Sequence, residues 1–392
     1  MPNDFTPNEV RKPVSTPILD LETPLPLRRS PLRSQAVGFI FGLTSTLVFL
    51  ASIRWDSDHF GVLPIILLIV SFGAIFVHEA GHLLAGRIVG FHFNSIQVAW
   101  FSLGFEYGKL TFRVRREMSM GGYASIQIGR IYRLRRRLMF FIAGGPAANI
   151  LSLVVAVVTV NWFDLHKSWL ALPAECLAFV SVLFTLVSLL PLARPGYQTD
   201  GARLEMLLTS RDKSKRWFCL FALANQQRRG KSPKLWNANW AKASASVRDH
   251  SRDEMSACWL AYICYSARKQ PDLAASYLER CLALLKLAGE AMRDTLMLEA
   301  SVFQAWERDN AEKSAKWLNL VKAPRRLPRL MQLRSTIAMN CAKRDFESAH
   351  ANWREGLVFI EKLPSTPVRD VVTASWSEWL TEIRERQKAI AG

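Results

Sequence analysis

Along the chain, a polar opening gives way to four long apolar runs, at about residues 36–53, 62–89, 139–161 and 170–193. Each approaches the roughly 20 residues an α-helix needs to cross the hydrocarbon core of a bilayer, so the pattern predicts four spans. Beyond residue 202 the apolar positions recur at helical spacing among charged ones, as in water-soluble helices. Ahead of the first run, residues 1–35 hold seven prolines and almost no apolar period, which predicts a disordered, basic, proline-rich tail. The first run starts too late, and lacks the small-residue cleavage site, for a signal peptide.

Between the second and third runs the pattern changes period. The stretches 91–101, 109–115 and 119–128 alternate aromatic and β-branched residues with polar ones, which predicts short strands, a small β-hairpin insertion beside the second span. A free edge there can pair with an unfolded substrate strand; a hairpin that only covers the membrane surface is the alternative. Farther on, 258–287, 298–322 and 330–363 each give two amphipathic helices around a polar turn. The turns, at 270–272, 308–310 and 343–345, recur 38 and then 35 residues apart. That is close to the tetratricopeptide period of about 34, and the region resembles such an α-solenoid; an irregular helical bundle is the alternative. The expected fold class is therefore mainly α. A polytopic helical membrane protein with four spans and a β-hairpin insertion (core 36–209) precedes a cytoplasmic helical repeat-like domain (210–392).

Charge orients this arrangement. The net charge of +18 would suggest nucleic acid in a soluble protein. Its distribution points elsewhere: the tail carries five Lys/Arg and residues 90–138 carry nine, against one each in 54–60 (Arg54) and 163–168 (Lys167). The positive-inside rule puts the N-terminus, the 90–138 loop and the C-terminal region in the cytoplasm, with Trp55, Trp162 and Trp169 at the opposite interface. Basic faces also attract anionic lipid, so the bilayer, not nucleic acid, is the expected partner of this charge. Six cysteines without a CxxC pair read as reduced core residues of a cytosolic compartment.

The chemistry sits inside the second run. His78 and His82, four apart on a helix, share a face and can present two imidazoles to one metal ion, and Glu79 beside them can take a proton from a metal-activated water. Ionisable groups at membrane depth are costly without a compensating partner, and a cation is the simplest one. Catalytic zinc usually takes three protein ligands, and Asp200, after the helix-breaking Pro191, Pro195 and Gly196, is the best supplier of the third. An N-cap role for Asp200 is the competing reading. His92 reads as a loop histidine.

Three stretches, Val77-His-Glu-Ala-Gly-His-Leu83, Ala143-Gly-Gly-Pro-Ala-Ala-Asn149 and Thr199-Asp-Gly201, occur in the order found in the site-2 protease family of intramembrane zinc metalloproteases (M50 peptidases), which residues 62 to about 208 resemble. The resemblance implies that His78, His82 and Asp200 bind zinc and that Glu79 activates water for attack on a peptide bond in a membrane protein or peptide substrate. It implies close helix approach at Gly144, Gly145, Pro146 and Ala147. Family members commonly carry an Asn shortly before the Asp-Gly pair; here that position is Ser188 with expanded spacing, so the substrate-orienting role is open between Ser188 and Asn149. The leading expectation is an intramembrane endopeptidase whose C-terminal helices recruit substrate or a regulatory protein. The alternative is a catalytically idle homologue serving as a membrane-bound scaffold.

Overall fold

The computed structural model describes residues 62–106, 109–114, 122–128, 132–163, 170–194 and 197–391. Among these, three helices, not four, are long and apolar enough to cross a membrane: α1 (Leu63–Ile88), α2 (Leu134–Trp162) and α3 (Ala171–Leu189). The remaining expected span, 36–53, and the proline-rich tail lie outside the described residues. At 1.5 Å per residue, even the shortest of the three, α3, covers about 28 Å, close to the thickness of a hydrocarbon core. Ile65, Leu68, Ile69, Leu84 and Ile88 on α1 and Leu151, Val154, Val155 and Val158 on α2 are exposed, a surface suited to lipid.

α1 and α2 touch backbone to backbone where both lack a side chain. A Cβ on Gly81 would overlap Gly144 O and the Ala148 side chain, and one on Gly144 would overlap Gly81 O. Small residues at such a crossing let dispersion contacts hold two apolar helices together where no hydrophobic effect acts between them.

The insertion is more than a hairpin. β1 (Phe91–Val98), β2 (Phe101–Glu106), β3 (Lys109–Val114) and β4 (Gly122–Ile128) form an antiparallel sheet in the order β3-β2-β1-β4. The stretch 91–101 is thus not one strand. The chain reverses at Ala99-Trp100, and Val98 pairs with Phe101. Ala99 takes φ 49°, a turn conformation favoured by Gly and Asn, so the sequence lacks the residues that normally announce such a hairpin. β1 leaves α1 directly and β4 pairs with it from Phe91↔Ile128 to Val98↔Gly122, which brings β4 back beside the helix that carries the histidines. β2 and β3 keep an exposed apolar face of Phe101, Phe105, Leu110, Phe112 and Val114, with the Phe101 and Phe112 rings stacked at 5.8 Å.

Two arginines of the basic 90–138 stretch, both in the first turn of α2, have structural duties besides their charge. Arg137 donates to Val89 O (2.7 Å) and Gly90 O (3.2 Å) at the end of α1. Arg135 donates to Leu207 O (2.6 Å) and Leu208 O (3.0 Å) at the end of α4 (Asp200–Thr209). Each satisfies carbonyls that a helix C-terminus leaves without an intrahelical donor.

The chain divides into two compact units, one running to Lys269 and including Lys362–Ser375, the other comprising Gln270–Glu361 and Trp376–Gly392. The boundary expected at 209/210 falls within the first unit, which continues through α5 (Arg211–Arg228), α6 (Ala238–Ser244) and α7 (Arg252–Ala267). Trp217, Phe218 and Phe221 of α5 pack on a core of Leu138, Ile142 and Leu207, and Arg228 donates to Ile126 O of β4 at 3.1 Å.

In the second unit, α8 (Pro271–Ala283), α9 (Glu290–Trp306), α10 (Ala311–Leu318), α11 (Arg329–Ala342) and α12 (Phe346–Glu361) follow one another. Ion pairs link positions 35 or 36 apart: Arg308–Asp272, Arg344–Asp309, Arg326–Glu290 and the half-buried Arg334–Glu299. The end of α13 (Pro367–Ala391) lies on these helices. The Trp379 ring stacks on Trp306 of α9 at 4.1 Å, and Trp376 and Trp353 of α12 exchange indole N–H to carbonyl bonds of 2.9 and 2.8 Å.

Candidate metal centre

α1 carries His78 and His82 one turn apart, as the four-residue spacing requires. Asp200 arrives from 122 residues away through a short, well-anchored turn. After α3 ends, Thr199 Oγ1 donates to Leu190 O and accepts from Leu192 N (3.1 Å) and Ala202 N (3.2 Å). Thr199, not Asp200, is therefore the N-cap of α4, and the Asp200 carboxylate in the first turn is free to face the histidines. Gly201 permits this closeness, since a Cβ there would overlap Leu189 O.

The three donor atoms converge. Asp200 Oδ2 lies 3.0 Å from His78 Nε2 and 3.3 Å from His82 Nε2, and the two Nε2 atoms are 3.2 Å apart. A tetrahedral ion with ligands at about 2.0–2.1 Å would separate them by about 3.3 Å. This cluster can hold a metal ion. Burial alone would push the Asp200 carboxyl up, but hydrogen bonds from the two imidazole N–H groups, whose Nε2 protons a bound ion would replace, hold it well below the usual carboxylate range.

The donor set also has the right supports. His82 Nδ1 is 2.9 Å from Phe141 O, a bond that needs its proton on Nδ1 and leaves the Nε2 lone pair for an ion. Gly145 N–H also points at Nδ1 at 3.2 Å, but that longer contact cannot coexist with a proton there, and the shorter bond sets the tautomer. Gly145 has a second duty: a Cβ on it would overlap His82 and come within 2.7 Å of His78 Nε2.

These groups open into a cleft of about 550 Å³ lined by Glu79, Gly122, Tyr123, Phe184, Ser188 and Arg203, together with the three donors. Glu79 is 7% exposed and reaches it from α1. Of the two expected orienting residues, Ser188 lines the cleft, with its hydroxyl donating back to Thr185 O at 3.1 Å. Asn149 is fully buried on α2 and bonds to His78 instead.

Three residues contribute in ways the sequence did not assign to them. Gly122 of β4 lies against the Glu79 carboxylate, so that a Cβ there would overlap Oε1. Thr199 is legible as a helix cap, since a Thr precedes an apolar helical run. Arg203 lines the cleft one turn after Asp200; its only signal was that i, i+3 spacing. No family model, no curated protein and no solved structure matches this chain.

Proposed function

We propose that this protein is an intramembrane zinc metalloendopeptidase of the site-2 protease type, which hydrolyses a peptide bond of a membrane-associated protein. The observation that carries the reading is the convergence of His78, His82 and Asp200, from segments 122 residues apart, with Glu79 in one cleft beside apolar helices. Two imidazoles and a carboxylate suit zinc, and the ion when bound would polarise the scissile carbonyl and acidify a water.

The chain's own groups divide the remaining work. His78, His82 and Asp200 would hold the ion, and Glu79 would accept the proton from water and pass it to the leaving amine. Arg203 supplies positive charge to the lining of the cleft. Substrate enters as an extended strand beside β4: Gly122, Tyr123 and Ala124 line the cleft, and among the described residues no strand pairs with the outer edge of β4. Water reaches the cleft from the cytoplasmic leaflet, with both termini on that side, as the distribution of Lys and Arg supports. The helices of the second unit, with their 35- to 36-residue ion-pair period, form a tetratricopeptide-like platform for a regulatory protein.

The test is cleavage of single-span membrane substrates by the purified protein in liposomes. The native protein should cleave, and zinc chelation or Glu79→Gln should abolish cleavage, by about 10²-fold or more for loss of the base. A zinc-loaded native protein that cleaves none of them, yet still binds a partner, would favour the scaffold reading.

A further inference from the structure

Asn149 sits on α2, 0% exposed, with its amide 2.9 Å from Nδ1 of His78 and its Oδ1 buried without a hydrogen-bond partner. A polar side chain this deep in an apolar helix is expensive to bury and calls for a function. His82 and His78 are alike in what they need: for Nε2 to offer its lone pair to an ion, the proton must sit on Nδ1, and that N–H must find an acceptor. His82 has Phe141 O at 2.9 Å. The group within hydrogen-bond distance of Nδ1 on His78 is the amide of Asn149.

The oxygen and nitrogen of an amide are assigned from their surroundings rather than by position. With Nδ2 toward His78, that imidazole would be forced to accept at Nδ1 and to carry its proton on Nε2, where it could not ligate. With the amide turned over, Oδ1 accepts from Nδ1–H, Nε2 is free, and the buried oxygen gains the partner it lacks. The NH2 then occupies the former oxygen position.

We infer that Asn149 is a positioning residue of the metal centre, whose side-chain oxygen accepts from His78 Nδ1–H and so fixes the ligating tautomer of His78. This rests on the metal-site reading above. It also assigns Asn149 a task other than orienting substrate, which leaves Ser188 as the polar residue of that expected pair that faces the cleft.

The experiment measures zinc affinity of the full-length protein in detergent by chelator competition, for the native chain, Asn149→Leu and Asn149→Asp. Leucine fills the space without an acceptor, whereas aspartate presents an acceptor whichever way it turns and cannot donate when ionised. Loss of such a partner typically weakens metal binding about 10- to 100-fold, so the leucine variant should fall in that range and the aspartate variant should stay within about threefold of native or bind more tightly. Native affinity in the leucine variant would overturn the inference. So would an aspartate variant as weak as the leucine one, because that result means His78 receives a hydrogen bond rather than giving one. If the leucine variant does not fold, the aspartate variant decides alone by the same criterion. A native protein that binds no zinc would instead sink the metal-site reading, so the two failures are distinct.

Discussion

Gly122 is where a single hydrogen atom does the work of a side chain. It faces the Glu79 carboxylate so closely that a methyl group must push that side chain aside, and the three atoms nearest to such a methyl all belong to Glu79. Gly122→Ala should therefore keep zinc but lower kcat by about 10²-fold, in line with loss of a positioned base. Equal activity in that variant, measured beside its zinc content, would show that Glu79 does not act from its present position. Thr199→Val removes both the cap of α4 and the clasp on the turn before it, and should cost about 1 kcal/mol of stability together with weaker zinc binding. The three clustered donors were legible in the sequence because each has a local signature: a four-residue spacing for His78 and His82, a helix break for Asp200. Gly122 and Arg203 were not, because their roles depend on which segments meet, and no local pattern encodes that meeting.

Among the elements, three of the four long apolar runs appear as helices long enough to cross a membrane, and the alternating period of 91–128 announced strands. The sheet was harder to read. Ala99 in a left-handed turn carries none of the usual Gly or Asn signal, so β1 and β2 ran together in the sequence. Packing of α1 on α2 at Gly81 and Gly144 sets the height at which the histidines meet Phe141 and Asn149. Gly144→Val should separate the two helices and abolish zinc binding, whereas the same change at Gly73, which has open space around its Cα, should leave it intact. Another element-level device joins α5 to the turn before α7: Arg216, 2% exposed, makes a bidentate pair with Asp249 at 2.9 and 2.8 Å. Burial raises the Asp249 carboxyl, but hydrogen bonds from Arg216 and Ser251, with the charges of Arg216 and Lys213, bring it down to about 2. Its folded value lies below the usual carboxylate range near 3.9. The stability it contributes is thus present above about pH 4 and is lost as pH falls toward 2. Asp249→Ala should cost about 3 kcal/mol at neutral pH, since it strands a buried guanidinium, and should flatten that acid limb of a pH–stability curve.

For the whole molecule, the sequence located a change from apolar to soluble character near residue 209, but compositional change and structural boundary do not coincide. α5 is charged on one side and packs Trp217, Phe218 and Phe221 on the core of Leu138, Ile142 and Leu207 on the other, so the first unit runs on to Lys269. A chain ending at residue 209 should lose zinc affinity, and one that keeps it would place α5 outside the fold of the site. Recruitment by the second unit must also reckon with α13, whose Trp376 and Trp379 already cover part of α9 and α12. At this scale the reading stands or falls on the ion. Metal analysis of the purified native protein should find one zinc per chain, retained in Glu79→Gln and lost in His78→Ala and in Asp200→Ala. Full zinc occupancy in Asp200→Ala, or none in the native chain, would contradict a hydrolytic centre built on these three ligands.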